Sequence, residues 1–181
     1  VNNLEVLHTI KNSDDKTMYF SLGGHPAFKC PFYENENYSD YILEFNKIEN
    51  SETYLVNMDN GLIKSETEPV FRNSNEIQLK HKLFLRDALV FKDLKSNKIT
   101  LKSKTHGAIL SVTFDGFPFM GLWAVTIGDY VCIEPWLGIG DNENTNQDFK
   151  TKEGIIALEA DKTFKATYSI EVNENQLIAG N

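Results

Sequence analysis

Two ionisable residues in this chain are placed where their side chains could move a proton. His25 lies in Gly23-Gly24-His25-Pro26-Ala27-Phe28, directly after a strand-like segment. The glycines let the backbone bend closely and the proline fixes the geometry that follows, so the imidazole is expected at the rim of a sheet. A histidine has an unperturbed pKa of about 6.5 and can donate a proton near neutrality. Glu134 lies in Val131-Cys132-Ile133-Glu134-Pro135-Trp136, an apolar run. Burying a carboxylate is costly unless it is paired or used, and desolvation raises its pKa toward the range of a general base. Together the two residues are suited to be an acid and base pair. The plainer alternatives are a turn histidine bonded to backbone and a strand-end glutamate facing water.

Asp87, in Phe84-Leu85-Arg86-Asp87-Ala88-Leu89-Val90-Phe91, is a further acid flanked by apolar residues and suited to accept hydrogen bonds from hydroxyl groups. An ion pair with Arg86 or a turn between strands would equally account for it. Phe117, Phe119, Trp123 and Trp136 cluster near the second motif, where aromatic faces either stack on sugar rings or fill a core. Metal chemistry finds no support in the spacing, because His25, His81 and His106 are far apart and two distant cysteines add nothing specific. Asp141, Glu143 and Thr145 imitate a calcium loop, but Asn146 stands where glycine is required and Lys152 where the bidentate acid should be. Neither a nucleophile elbow nor a phosphate loop of the Walker type occurs.

The elements that must position these groups are strands. Apolar and polar residues alternate at Leu4, Val6, His8 and Ile10, and again at Phe164, Ala166, Tyr168 and Ile170. Further strands are expected over Met18 to Leu22, Tyr41 to Phe45, Glu76 to Leu79, Ala88 to Phe91, Ile99 to Leu101, Ala108 to Phe114, Gly121 to Thr126 and Tyr130 to Ile133. Turn residues such as Asp59-Asn60-Gly61, Ser96-Asn97 and Asp115-Gly116 separate them. The pattern predicts an all-β protein, a large antiparallel β-sandwich, with no linker or repeat dividing residues 1–181. Leu4 to Ile10 reads as the middle of a sheet already under way, and Glu174 to Asn181 as a tail beyond the last strand.

With 181 residues, 41% hydrophobic and 24% charged, the composition is that of a globular domain. No apolar run approaches the roughly 18 residues of a membrane span. A net charge of -8 opposes binding to nucleic acid. Cys30 and Cys132 suit buried reduced thiols, and with no secretory signal at the start a cytoplasmic location is expected.

The chain resembles the aldose 1-epimerase, or galactose mutarotase-like, superfamily in its LacX-like branch. The resemblance rests on Met18 to Phe28, Asp87 to Phe91, Phe117 to Trp123 and Cys132 to Gly138, in family order, and on Lys152-Glu153-Gly154 before a last alternating strand. It implies a β-supersandwich and interconversion of the anomers of an aldose, an aldohexose first of all, with no cofactor. By motif match His25 would protonate the ring oxygen and Glu134 would take the proton of the anomeric hydroxyl. Asp87 would bind a hydroxyl group; Trp123 and Trp136 are candidate sugar platforms by residue type, with no role carried over from the family, and a non-catalytic carbohydrate-binding module is the alternative.

The resemblance begins at the strand of Leu4 to Ile10, so the domain is expected to be the carboxy-terminal portion of a longer one. Its exposed strand edges are then expected to pair with the missing amino-terminal segment or with a second copy.

Overall fold

Alternation this regular commits the backbone to strands, and each strand must cover its apolar face. The structure, a computed structural model, describes residues 2–178. The first half contains β1 (Asn3–Lys11), β2 (Met18–Phe20), β3 (Ala27–Lys29), β4 (Tyr41–Glu49), β5 (Glu52–Val56), β6 (Ile63–Pro69) and β7 (Ser74–Gln78). The second half contains β8 (Leu89–Phe91), β9 (Lys98–Ser103), β10 (Gly107–Thr113), β11 (Phe119–Trp123), β12 (Tyr130–Trp136), β13 (Ile156–Leu158) and β14 (Thr163–Val172). A short helix, α1 (Glu174–Ile178), occupies the start of the expected tail, whose residues 179–181 lie outside the described part.

The strands form two six-stranded antiparallel sheets, ordered β1-β14-β10-β9-β4-β7 and β3-β12-β11-β8-β5-β6, with a small β13-β2 pair beside them. Leu43, Phe45, Ile99, Leu101 and Val112 from the first sheet join Phe91, Met120, Leu122, Val131 and Ile133 from the second in one buried cluster. This is the all-β sandwich that the alternation predicts.

Four strands escaped the pattern, each for a local reason. β3 and β13 have three residues each, too few for a period to show. β6 reads Ile-Lys-Ser-Glu-Thr-Glu-Pro and lies at a sheet edge, where the buried stripe is thin. β5 shifts register between Tyr54 and Val56, which interrupts its alternation. β12 also runs three residues past its expected end at Ile133, through Pro135. Its ladder survives because the Pro135 carbonyl still accepts the Gly24 N–H at 2.9 Å.

Among the described residues β1 stands at the edge of its sheet. It pairs with β14 across its whole length and has no second neighbour among the described residues. Leu4 and Leu7 are accordingly 60% and 58% exposed.

The paired glycines before His25 also act differently from a turn. Neither takes a positive φ, unlike Gly61 and Gly116 in the expected turns. What they provide is room, since a Cβ on Gly24 would come within 2.7 Å of the buried Tyr168 ring. Gly24→Ala should therefore overpack this contact and lower stability by about 1–3 kcal/mol. Urea unfolding of the variant against the parent checks this, and an unchanged midpoint would mean that the ring moves aside freely.

Candidate active site

Period-two geometry gives β12 two working faces. Val131 and Ile133 point into the main core, while Cys132, Glu134 and Trp136 share the opposite face. On that face Glu134 stands opposite Gly121 of β11, and Gly121 stands opposite Val90 of β8. Trp136 pairs with Phe119, and Cys132 pairs with Trp123 on one side and with Ala27 of β3 on the other.

His25 reaches this face from the segment leading into β3. Its Nε2 lies 3.3 Å from Glu134 Oε1. The two side chains differ sharply in exposure, 62% for His25 and 4% for Glu134. They line one shallow cavity of about 390 Å³ with Ser21, Gly23, Trp136 and Gly138. The two plainer readings, a strand-end glutamate in water and a histidine occupied by backbone, do not describe this geometry.

Burial pushes the Glu134 carboxyl up to about 7, with the negative charge of Asp87 adding to the rise. His25 and the Trp136 indole act in the other direction. A second buried carboxylate shows what burial without an open cavity looks like. Glu49 is fully buried and accepts the Ser96 N–H and hydroxyl, both at 2.8 Å, so its oxygens are occupied by neutral donors. Glu134 instead meets an ionisable partner at a cavity wall.

Trp136 forms the floor. A Cβ on Gly23 would come within 2.5 Å of its ring, and one on Gly121 within 2.4 Å. The indole thus has room because Gly121 on β11 and the bridging Gly23 carry no side chain beneath it. Trp123 is half-buried, edge-on to the His25 ring with centroids 6.2 Å apart, and it does not line the cavity. Phe117 belongs to the main core, whereas Phe119 joins Ile63, Val90 and Ile139 in a small apolar cluster against which Trp136 packs.

Asp87 is set apart. It adopts φ 72° in the turn before β8, and its Oδ1 accepts the Ala88 N–H at 2.7 Å. It lines a neighbouring cavity of about 580 Å³ and reaches Glu134 through its charge. The pair with Arg86 does not form, because Arg86 bonds to Glu68. In the rejected calcium loop, Lys152 pairs with Asp141 at 3.2 Å and neutralises it.

Two groups in or beside this sheet were not singled out from the sequence. Cys132 sits two residues before Glu134, and period two alone would have placed it on the same face. The ligating atoms of His25, Cys132 and Glu134 all lie within 4.8 Å of one another. Lys92, next to β8, lies 4.2 Å from the Tyr54 ring centre and pairs with Glu153 at 2.7 Å. Only the folded sheet brings those three together. Cys30 and Cys132 are both free and buried.

The arrangement of sheets is shared with solved structures. A galactose mutarotase related enzyme from Lactobacillus acidophilus matches with a TM-score of 0.86 and 29% identity, over 96% of this chain and 58% of that one. A galactose mutarotase-like protein from Lactobacillus casei gives a TM-score of 0.80 at 23% identity, over 93% of this chain and 58% of that one. The fold is therefore the galactose mutarotase-like β-sandwich.

Among curated proteins, the plasmid-encoded LacX of Lactococcus lactis is 33% identical over 160 residues, 87% of this chain and 54% of LacX. The chromosomal LacX gives 32% over the same share of each. The chain is thus similar to LacX in sequence and has a galactose mutarotase-like fold, and it spans about half the length of the curated relatives it matches. No family model matches the sequence. Among the described residues, no helix is long and apolar enough to cross a membrane.

The raised carboxyl makes a stability prediction. A folded pKa above the unfolded value of 4.5 means that the native state holds the proton more tightly. The stability gained this way is fully present below 4.5 and is lost as pH rises through about 7. In metal-free buffer, Glu134→Gln should flatten the decline in urea midpoint between pH 5 and pH 8 that the parent shows. A parallel decline in both proteins would place the buried proton elsewhere.

Proposed function

We propose that this chain carries the acid and base of an aldose 1-epimerase, interconverting the α and β anomers of an aldose. The observation that supports this most is the 3.3 Å approach of His25 Nε2 to Glu134 Oε1 at the wall of an open cavity. The ring oxygen and the anomeric oxygen of a cyclic aldose are bonded to the same carbon. Two proton-transfer groups that serve them must therefore stand side by side, as these do.

In this reading the exposed imidazole, protonated, gives its Nε2 proton to the ring oxygen. The buried carboxylate takes the proton of the anomeric hydroxyl. The bond between the anomeric carbon and the ring oxygen breaks, and an open-chain aldehyde forms. Rotation about the bond between the first two carbons presents the other face of the carbonyl. Return of both protons closes the opposite anomer, so no proton is gained or lost over the cycle. A carboxyl held near neutrality is a stronger base than an ordinary one and still ionises at working pH.

Trp136 supplies a flat apolar floor against which the CH face of a sugar can stack. Asp87 serves as a hydroxyl acceptor from the adjoining cavity, and Trp123 backs the histidine. Among the described residues no Lys or Arg lines the His25 and Glu134 cavity, which favours an unphosphorylated aldose, since a phosphate needs cationic or clustered amide donors. Arg72 is exposed and Arg86 is engaged by Glu68.

Polarimetry on freshly dissolved aldohexoses tests the proposal. The protein should accelerate the approach to anomeric equilibrium, and His25→Ala or Glu134→Gln should each cut the rate by roughly 10²–10⁴-fold. Sugar binding without acceleration, unaffected by either substitution, would instead assign the fold to a carbohydrate-binding module. No acceleration across free and phosphorylated aldoses would remove the epimerase reading.

A further inference from the structure

Cys132 lies at the acid and base pair and has no part in anomer interconversion. It is almost fully buried, and it shares the face of β12 with Glu134. Thiol, imidazole and carboxylate are the three donor types that bind zinc most often. Here they converge from one strand and from the segment leading into its neighbour, with all ligating atoms within 4.8 Å. We infer that His25, Cys132 and Glu134 form a binding site for Zn²⁺ whose occupancy takes both proton-transfer groups out of service.

The geometry suits that ion. Zinc bonds of about 2.0–2.3 Å at tetrahedral angles hold ligand atoms about 3.3–3.6 Å apart. His25 Nε2 and Glu134 Oε1 are already 3.3 Å apart. The other separations are within 4.8 Å, so closure onto an ion asks for about 1 Å at most from any pair. Zinc keeps three protein ligands and an open position at exchangeable sites, and the cavity over His25 supplies that fourth position to water.

The charge balance also favours a cation. Glu134 and the nearby Asp87 are both acids, and no Lys or Arg lines this cavity among the described residues. The presence of a thiol selects zinc over magnesium or calcium, which take oxygen ligands. On binding, a bond forms between zinc and the Cys132 sulfur as the S–H bond breaks, and the proton passes to solvent. His25 binds through Nε2 with its lone pair, so it can no longer deliver a proton from that atom. Glu134 spends an oxygen on the metal and no longer accepts one.

Zinc binding itself does not depend on the sugar reaction, but its inhibitory consequence rests on the proposed epimerase reading. The test uses the purified protein, freed of metal by a chelator. Calorimetric titration with Zn²⁺ should show one equivalent bound, and Co²⁺ in its place should give a near-ultraviolet thiolate-to-cobalt charge-transfer band. Cys132→Ser should abolish the band, and both Cys132→Ser and His25→Ala should weaken zinc binding by more than about tenfold. His25 is exposed, so its variant tests the site without disturbing the core, and Cys30→Ala should leave zinc binding unchanged.

Failure to bind zinc, or equal affinity in parent, Cys132→Ser and His25→Ala, overturns the site. With zinc saturating, anomer interconversion should fall to the uncatalysed rate and recover on chelation; a persisting rate overturns the inhibitory role. Zinc binding that follows these variants in a protein that moves no anomer would uphold the site while removing the epimerase reading. Interconversion without any zinc binding would do the reverse.

Discussion

Strand β12 has to serve two environments at once, and the rest of the molecule follows from that constraint. One face must be apolar enough to close the core between the sheets, which Val131 and Ile133 accomplish with no exposure at all. The other carries Cys132, Glu134 and Trp136, of which Glu134 and Trp136 line an open cavity. A carboxylate on a central strand is desolvated by its own sheet before any ligand arrives, and burial is the largest influence on Glu134. The antiparallel pairing with β3 then brings in the segment that sets an imidazole beside it.

The sequence was legible where period two ran uninterrupted. The long strands β1, β4, β10 and β14 followed from alternation, and the residues around each motif singled out His25 and Glu134, whose side chains the fold brings together. Short strands such as β3 and β13 carried too few residues for any period to register. The polar edge strand β6 offered little apolar alternation to read, because an edge needs few apolar side chains. Pro135 suggested a strand end, yet a proline carbonyl can still accept and the ladder ran on.

The site itself was half legible, and the divide falls between local and long-range information. Glu134 and Trp136 lie two residues apart, so their shared face could be read directly. The 3.3 Å approach of His25 spans more than a hundred positions and depends on register alone. The paired glycines were noticed for the wrong physical reason. Their value lies in leaving space for Trp136 and Tyr168, which only a folded sheet can reveal. A search for metal motifs by local spacing likewise passes over His25, Cys132 and Glu134, because pleat and pairing bring them together.

Trp136 lies over Gly23 and Gly121, which belong to different parts of the chain. The three identities therefore amount to one choice. A side chain at either glycine collides with the indole, and a smaller residue at 136 would uncover a void above both. Substitutions at these positions cannot have independent effects, since a change harmful beside the tryptophan can be tolerated once that ring is gone. The floor of the cavity is consequently a unit of sequence change: it can be exchanged as a set of three, and it resists alteration one residue at a time.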